Sequence, residues 1–363
     1  MAASDVRIAV IGVGNVGRTF IRGIEYYGKS RNADGLWHRQ VGGLKASQVK
    51  VVAAFDIDPD KVGKSLSQII AKDGPNGRSL GESKISLKVS PGLLSDSDIL
   101  AAGQESQVTK PVTASQKGFI EMLRKEKVDV ALNLISSGLD KTSAQYAYAS
   151  LDAGVAFVNA TPAKVASNSS IASKFAAKNL VVAGDDLLSQ LGGTAFHKGM
   201  IDFMVERGVH VRKSYQLDVG GSEETRKTMV EKIRMQKRAM KTDSISIEAP
   251  YKFESVAGTT EYTDFLGDSR NSYYWMSSEG FLGSEIIMDL TLRTNDGPNA
   301  GNVLLDVVRA IGSPSKTRKQ TAATLKRKSE IISAYGFKSP PKEFRIREAY
   351  SNFVKEFVQL SKE

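Results

Sequence analysis

The sequence predicts an α/β fold, a doubly wound parallel sheet followed by a second, smaller α/β unit, and three observations predict it. Apolar, β-rich runs alternate with stretches of helical period from residue 6 to residue 184, the pattern of strands joined by crossover helices. The first run, VRIAVI at 6–11, stops on a glycine-punctuated turn, Gly12-Val13-Gly14-Asn15-Val16-Gly17, ahead of the helical TFIRGIEYY. After Gly184 the strand-like runs follow one another through connections that read as hairpins. With 363 residues, 41% hydrophobic and 25% charged, the chain can pack two units sharing an interface, and it lacks the bias of disordered or fibrous sequences.

The elements follow in order. VKVVAAFDID at 49–58 precedes a helix-like KVGKSLSQII, and VDVALNLI at 128–135 precedes the helical KTSAQYAYASLDAG. Further strands read at 155–159 and 180–183. Between them, residues 72–115 are rich in Gly, Ser and Asp with little periodicity, which reads as a surface excursion. Past Gly184 the expectation is a helix at about 189–206, a strand at 214–219, one basic helix at about 223–241, and alternating runs around 244–256 and 284–293. Residues 301–312 read as helix, and the lysine-rich 313–330 as a solvated helix face or loop.

Composition excludes several function classes. No stretch reaches the ~18 consecutive apolar residues of a membrane helix, and MAASD runs straight into the first strand rather than into a signal peptide. No membrane partner and a cytoplasmic location are expected. There is no cysteine, so disulfides, thiolate metal sites and a cysteine nucleophile are ruled out. His38, His197 and His210 share no metal-ligand spacing. The formal charge of +10 suits nucleic acid or a phosphorylated substrate. Without a zinc finger, an RNA-recognition signature or a basic run interleaved with aromatics, the phosphorylated small molecule is preferred and nucleic acid is not expected.

The glycines have separate physical tasks. Gly12 allows a tight turn, Gly14 lets backbone approach a pyrophosphate, and Gly17 lets helix pack on strand, which together make a Rossmann-type dinucleotide site. Asp56, ending the second strand, can accept bonds from ribose hydroxyls and repel a 2′-phosphate, so NAD is expected over NADP. Asp58, followed by Pro59, reads as the cap of the next helix. An insertion at 28–47 stretches the usual glycine-to-acid spacing.

Several segments together resemble a known family: GVGNVGRTFIRGIEYY at 12–27, GLWHRQVGG at 35–43, AAFDIDPDKVGKSLS at 53–67, FVNATP at 157–162, GDDLLSQLGGTAFHK at 184–198, YQLDVGG at 215–221, FLGDSR at 265–270 and SAYGFKSPP at 333–341. The chain resembles the myo-inositol-1-phosphate synthases in their short prokaryotic and archaeal form. The resemblance implies a tetrameric enzyme that holds NAD and converts glucose 6-phosphate to 1L-myo-inositol 1-phosphate by oxidation at C5, enolisation at C6, attack on the C1 aldehyde and return of the hydride. It also implies a discontinuous NAD-binding unit, 1–195 with 300–363, around a catalytic and oligomerisation unit at 196–299. The expected cofactor contacts are Gly12, Gly14, Asn15, Val16, Gly17, Asp56, Asn133, Ser136, Asn159, Thr161, Gly184, Asp185, Asp186 and Ser189.

Cations are needed to hold a phosphate and to stabilise an enolate. Lys237 and Lys241 lie four apart on one helix face, and the resemblance makes them two of the family's catalytic lysines, with Lys338 a third. Arg270 stands where the family has a fourth lysine, keeping the charge without the ability to exchange a proton near neutral pH. Asp306 matches a family aspartate that works with a lysine. Leu188 replaces a lysine, and Ser222-Glu223-Glu224 replaces an Asn-x-Asp. The two carboxylates could place a divalent cation, or Ser222 could cap the helix, and the cap is preferred. Two alternatives stay open: a related NAD enzyme acting on another phosphorylated sugar, and a non-catalytic NAD-binding homologue.

Overall fold

The structure, a computed structural model, describes residues 5–71, 80–96, 110–313 and 321–358. Its first sheet is parallel with strand order β3-β2-β1-β4-β5-β6, made of β1 (Val6–Ile11), β2 (Val49–Asp56), β3 (Ser90–Pro91), β4 (Val130–Asn133), β5 (Ala156–Asn159) and β6 (Val182–Gly184). The two-residue period of these strands divides the core. Ile8, Val10, Val130, Leu132 and Val158 face one side, where α1 (Asn15–Lys29) packs with α9 (Asp296–Gly312), α10 (Ala322–Gly336) and α11 (Ile346–Phe357). Ala9, Ile11, Phe55, Ala131 and Phe157 face the other, covered by α3 (Gln116–Lys125), α4 (Asp140–Ala153) and α5 (Ser169–Ala177). Strands buried on both faces explain the continuous apolar runs. The C-terminal helices therefore complete the first face, and the chain returns to the first sheet after leaving it.

A short helix, α2 (Leu66–Ile69), replaces the longer one expected over KVGKSLSQII. Asp58 accepts from the Asp60 amide at 2.9 Å and caps only a turn. Of the excursion at 72–115, residues 72–79 and 97–109 lie outside the described residues, as do 314–320 of the lysine-rich segment. The rest of that segment joins α10.

The second sheet has the order β10-β9-β7-β8, with β7 (His210–Gly220), β8 (Glu254–Tyr262), β9 (Ser269–Glu279) and β10 (Glu285–Asn295). It corrects the expectation of hairpins throughout. β8 runs parallel to β7 after a crossover through α7 (Glu223–Thr228) and α8 (Glu231–Ser246), and only β9 is antiparallel to its neighbours β7 and β10. The basic helix expected at 223–241 is thus two helices, and the run at 244–256 stays helical to Ser246 before β8 begins at Glu254. Among the described residues, no helix is long and apolar enough to cross a membrane.

On the inner face of this sheet Tyr274 and Met276 pack with Ile201 and Met204 of α6 (Gly193–Glu206) and Ile245 of α8. The outer face carries Tyr215, Leu217, Val256, Tyr273, Trp275 and Ile287. The strand registers Tyr215↔Trp275, Leu217↔Tyr273 and Tyr215↔Val256 place them together. Leu217, Val256 and Ile287 are more than a third exposed.

Candidate active site

The chain winds outward from β1 in both directions, so a crevice opens at the carboxyl ends of β1 and β4, where this topology places ligands. A cavity of about 590 Å³ lies there, walled also by the inner face of the second sheet and by the segment after α10. Gly12 adopts φ +92°, and a Cβ on it would stand 2.8 Å from the Leu134 carbonyl oxygen. Only glycine lets the first turn nest against the loop after β4. Gly17 permits the close approach of α1 to the same turn, since a Cβ there would collide with the Gly12 oxygen. Above Gly14 a Cβ would meet nothing within 4 Å, and α1 starts there with neither a side-chain cap nor an acid in its first turn. Free helix amides over open space fit a pyrophosphate.

Asp56 sits at the cavity rim. Its Oδ2 accepts from the Val13 amide at 2.8 Å, and its Oδ1 from the Ile57 and Asp58 amides at 2.9 and 3.0 Å. Lys61 lies 3.3 Å from Asp56 and 3.1 Å from Asp58. The carboxylate is held in place by the glycine turn itself.

The second unit supplies three of the cations and the segment after α10 the fourth. Lys237 and Lys241 project from α8, Arg270 from β9, and Lys338 from the segment after α10, and all four line the cavity. Each has its own carboxylate: Lys237 pairs with Glu224, Lys241 with Asp218 at 2.6 Å, and Lys338 with Asp186 at 3.0 Å. Arg270 grips Asp296 through Nε at 3.0 Å and Nη2 at 2.7 Å. Burial would raise the Asp218 carboxyl, but Lys241 and then Arg270 outweigh it and hold it well below the carboxylate range. Burial pushes the Lys241 ammonium down, and the nearby Arg270 and Lys338 charges add to this against the pull of Asp218. Glu224 is likewise lowered, burial being overcome by Lys237.

The cavity wall carries seven cations and eight carboxylates. The net +10 is therefore not concentrated there.

The expected residues divide by position. Gly12, Gly14, Asn15, Val16, Asp56, Ser136, Thr161, Asp186 and Ser189 line the cavity with the four cations. Gly17, Asn133, Asn159, Gly184 and Asp185, expected as cofactor contacts, do not line it. Asn159 bonds Asn133 at 3.0 Å and Asp185 at 2.8 Å, and Asp185 also accepts from the Val165, Ala166 and Ser167 amides. These side chains tie the strand ends together beneath the site. Gly184 is packed against the Asn159 carbonyl.

Asp306 lies apart as well. It is fully buried between His38 at 2.6 Å, Tyr335 at 2.7 Å and Arg309 at 2.5 Å, away from the cavity wall. It holds the insertion at 28–47 and α10 to α9, and Tyr335 lies three residues before Lys338. Ser222 caps α7 by accepting from the Thr225 amide at 3.2 Å. Glu223 pairs with Arg226 and Glu224 with Lys237, so the carboxylates already hold cations of the chain. No group of three or more His, Cys, Asp or Glu among the described residues could hold a metal ion.

Sequence reasoning missed Asp218 and Asp296, and gave Glu224 no partner. The signal for Asp218 was present in SYQLDV. Its polar residues, Ser214, Gln216 and Asp218, alternate and are buried, while Tyr215 and Leu217 face outward. Ser272 and Gln216 both donate to Asp218 at 2.7 Å.

The profile of the family described as Myo-inositol-1-phosphate synthase matches residues 192–297. The chain is 31% identical to the inositol-3-phosphate synthase of Mycolicibacterium smegmatis over 94% of both sequences. It is 27% identical to a solved protein named Ari2, with TM-score 0.71 over 96% of this chain and 98% of the other. A myo-inositol-1-phosphate synthase-related protein from Thermotoga maritima shares the fold at 19% identity, with TM-score 0.75 over 97% of this chain and 98% of that one.

Proposed function

This chain belongs to the myo-inositol-1-phosphate synthase family, and from that premise we propose that it cyclises D-glucose 6-phosphate to 1L-myo-inositol 1-phosphate with NAD and no net redox change. The observation that carries the proposal is the convergence of Lys237, Lys241, Arg270 and Lys338 on the cavity into which the glycine turn opens. When bound, NAD would supply the hydride acceptor for C5 and the hydride donor to the cyclised product.

The glycine turn and the start of α1 would hold the pyrophosphate, and Asp56 the adenosine ribose. The sugar phosphate is held by Ser189 and the start of α6, where Gly192 leaves the first amides without a side-chain cap. Lys241, its ammonium destabilised by burial, takes the C5 hydroxyl proton as the hydride leaves. Charged again, it faces the C5 oxygen with Arg270 and Lys338 and stabilises the enolate. Glu224 accepts the C6 proton, Lys237 donates one to the C1 oxygen as the ring closes, and transfer between the two restores the pair. Lys241 then returns its proton to the C5 oxygen on re-reduction. Every proton taken is given back.

The chain is proposed to form a homotetramer, and the exposed apolar face of the second sheet supports self-association, since contiguous exposed apolar surface marks association sites. A second reading, another phosphorylated sugar, is favoured by Leu188 on the cavity wall and by the fixed grip of Arg270 on Asp296. Glucose 6-phosphate deuterated at C5 distinguishes them. Retention of the deuterium in an inositol phosphate supports the cyclase, and absence of turnover with retained NAD binding supports the second reading.

A further inference from the structure

Lys227 is the exception among the cavity's second-unit cations. Lys237, Lys241 and Arg270 each face a carboxylate within ion-pair distance, whereas Lys227 has none among the described residues. Its Nζ donates instead to the hydroxyl of Ser136 at 2.9 Å. One turn earlier on the same helix, Glu224 accepts from the amide of Ser137 at 3.3 Å and from its hydroxyl. Two neighbouring side chains of α7 therefore reach two neighbouring residues of the loop after β4. That loop is the one nested on the glycine turn, where the Leu134 oxygen and the Ile135 nitrogen would lie within 3.0 Å of a Cβ on Gly12. Glu224 is paired directly by Lys237, and Lys227 acts on that carboxylate only from beyond ion-pair distance. Lys227 is half-buried, and a partly desolvated ammonium without a direct counter-ion favours an anion.

We infer that Lys227 is the second unit's contact to the phosphates of the bound dinucleotide, reaching them from α7 beside the loop that packs on the glycine turn. The inference rests on the NAD reading above and adds to it a residue and a purpose. A reaction that removes a hydride and later returns it must keep the reduced cofactor in place through both steps. A cation carried by the substrate-binding unit ties cofactor retention to closure of the two units, which the amides of the glycine turn alone cannot do. The same ammonium could instead meet the sugar phosphate. Its seat on Ser136 favours the dinucleotide, because Ser136 belongs to the loop packed on the glycine turn.

The test uses the full-length protein and titration calorimetry with NAD, ADP-ribose and adenosine, beside KM for glucose 6-phosphate. Lys227→Gln should weaken NAD and ADP-ribose at least about tenfold, the usual loss for a charged hydrogen bond. It should leave adenosine within about twofold, and Lys227→Arg should restore most of the affinity. Unchanged NAD affinity in Lys227→Gln, when the wild type binds NAD, overturns the inference alone. Unchanged NAD affinity with a raised KM assigns the lysine to the sugar phosphate and equally overturns it. A wild type that binds no NAD removes the functional reading itself. Should Lys227→Gln unfold, Lys227→Met against Lys227→Arg decides: weaker binding by Met than by Arg supports the contact, and equal affinity contradicts it.

Discussion

Lys241 Nζ lies 2.6 Å from Asp218 Oδ2, and Arg270 Nη1 approaches the same oxygen at 3.7 Å. One buried carboxylate thus balances two cations of the cavity. Asp218→Asn removes that balance while keeping the shape, and breaking a buried pair costs about 3–5 kcal/mol. Denaturant unfolding should show that loss, and Lys241, left facing Arg270, should lose its proton still more readily. Unaltered stability would mean the pair carries no net weight.

Lys241→Ala should lower kcat at least about a thousandfold, the scale of removing a group that acts on developing charge. NAD affinity should stay within about twofold of wild type, because no contact to the glycine turn is lost. Steady-state rates and calorimetry on one preparation check both, and wild-type-like turnover would remove Lys241 from the proposed chemistry.

Arg270 spends a two-nitrogen fork on Asp296. A lysine offers a point charge in place of that fork. Arg270→Lys should therefore lower kcat/KM about tenfold or more, on the scale of one charged hydrogen bond. Equal or higher activity would show that charge alone matters at this position.

The first sheet was legible because its strands announce themselves: VRIAVI ends on the glycine turn, and VKVVAAFD ends on Asp56. The second sheet was less so, since β7 inverts the usual rule by burying Ser214, Gln216 and Asp218 and exposing Leu217. Lys237, Lys241 and Lys338 could be named from motifs, but their partners could not. A carboxylate's partner depends on which element folds beside it, and Asp186 and Lys338 are far apart in sequence. Asp306 misled for the same reason. Its motif was visible, yet its burial against His38, Tyr335 and Arg309 follows from the return of the C-terminal helices.

Asp306→Asn should consequently act on stability before chemistry. It leaves Arg309 buried without its counter-charge, which costs about 3–5 kcal/mol, while turnover per folded molecule should fall less than about tenfold. Thermal unfolding beside active-site-normalised rates checks this, and a stable but inactive variant would return Asp306 to the catalytic set.

Asp218 and Glu224 both lose protons more readily in the fold than in the unfolded chain. Groups of this sign stabilise above their unfolded pKa, near 4, and the contribution disappears as pH falls toward their folded values. The lowered Lys241 has the same sign, but its contribution changes between its folded value and the ordinary lysine value near 10.5. Urea unfolding between about pH 3 and 7 should show stability falling on acidification, and falling less steeply in Asp218→Asn. Identical slopes would contradict the assignment.

Trp275 stacks on Tyr215 at 5.5 Å on the open sheet face. Trp275→Glu should convert a tetramer-sized species into a smaller one by light scattering with the monomer still folded. An unchanged mass would place association elsewhere.

The proposed cyclisation leaves the cofactor as it began. The most direct measurement follows inositol phosphate by NMR and NADH by absorbance, with glucose 6-phosphate in large excess over NAD. Product exceeding the NAD supplied, with no accumulating NADH, is the predicted result. NADH rising in step with consumed sugar, or no inositol phosphate from protein that binds NAD, would contradict it.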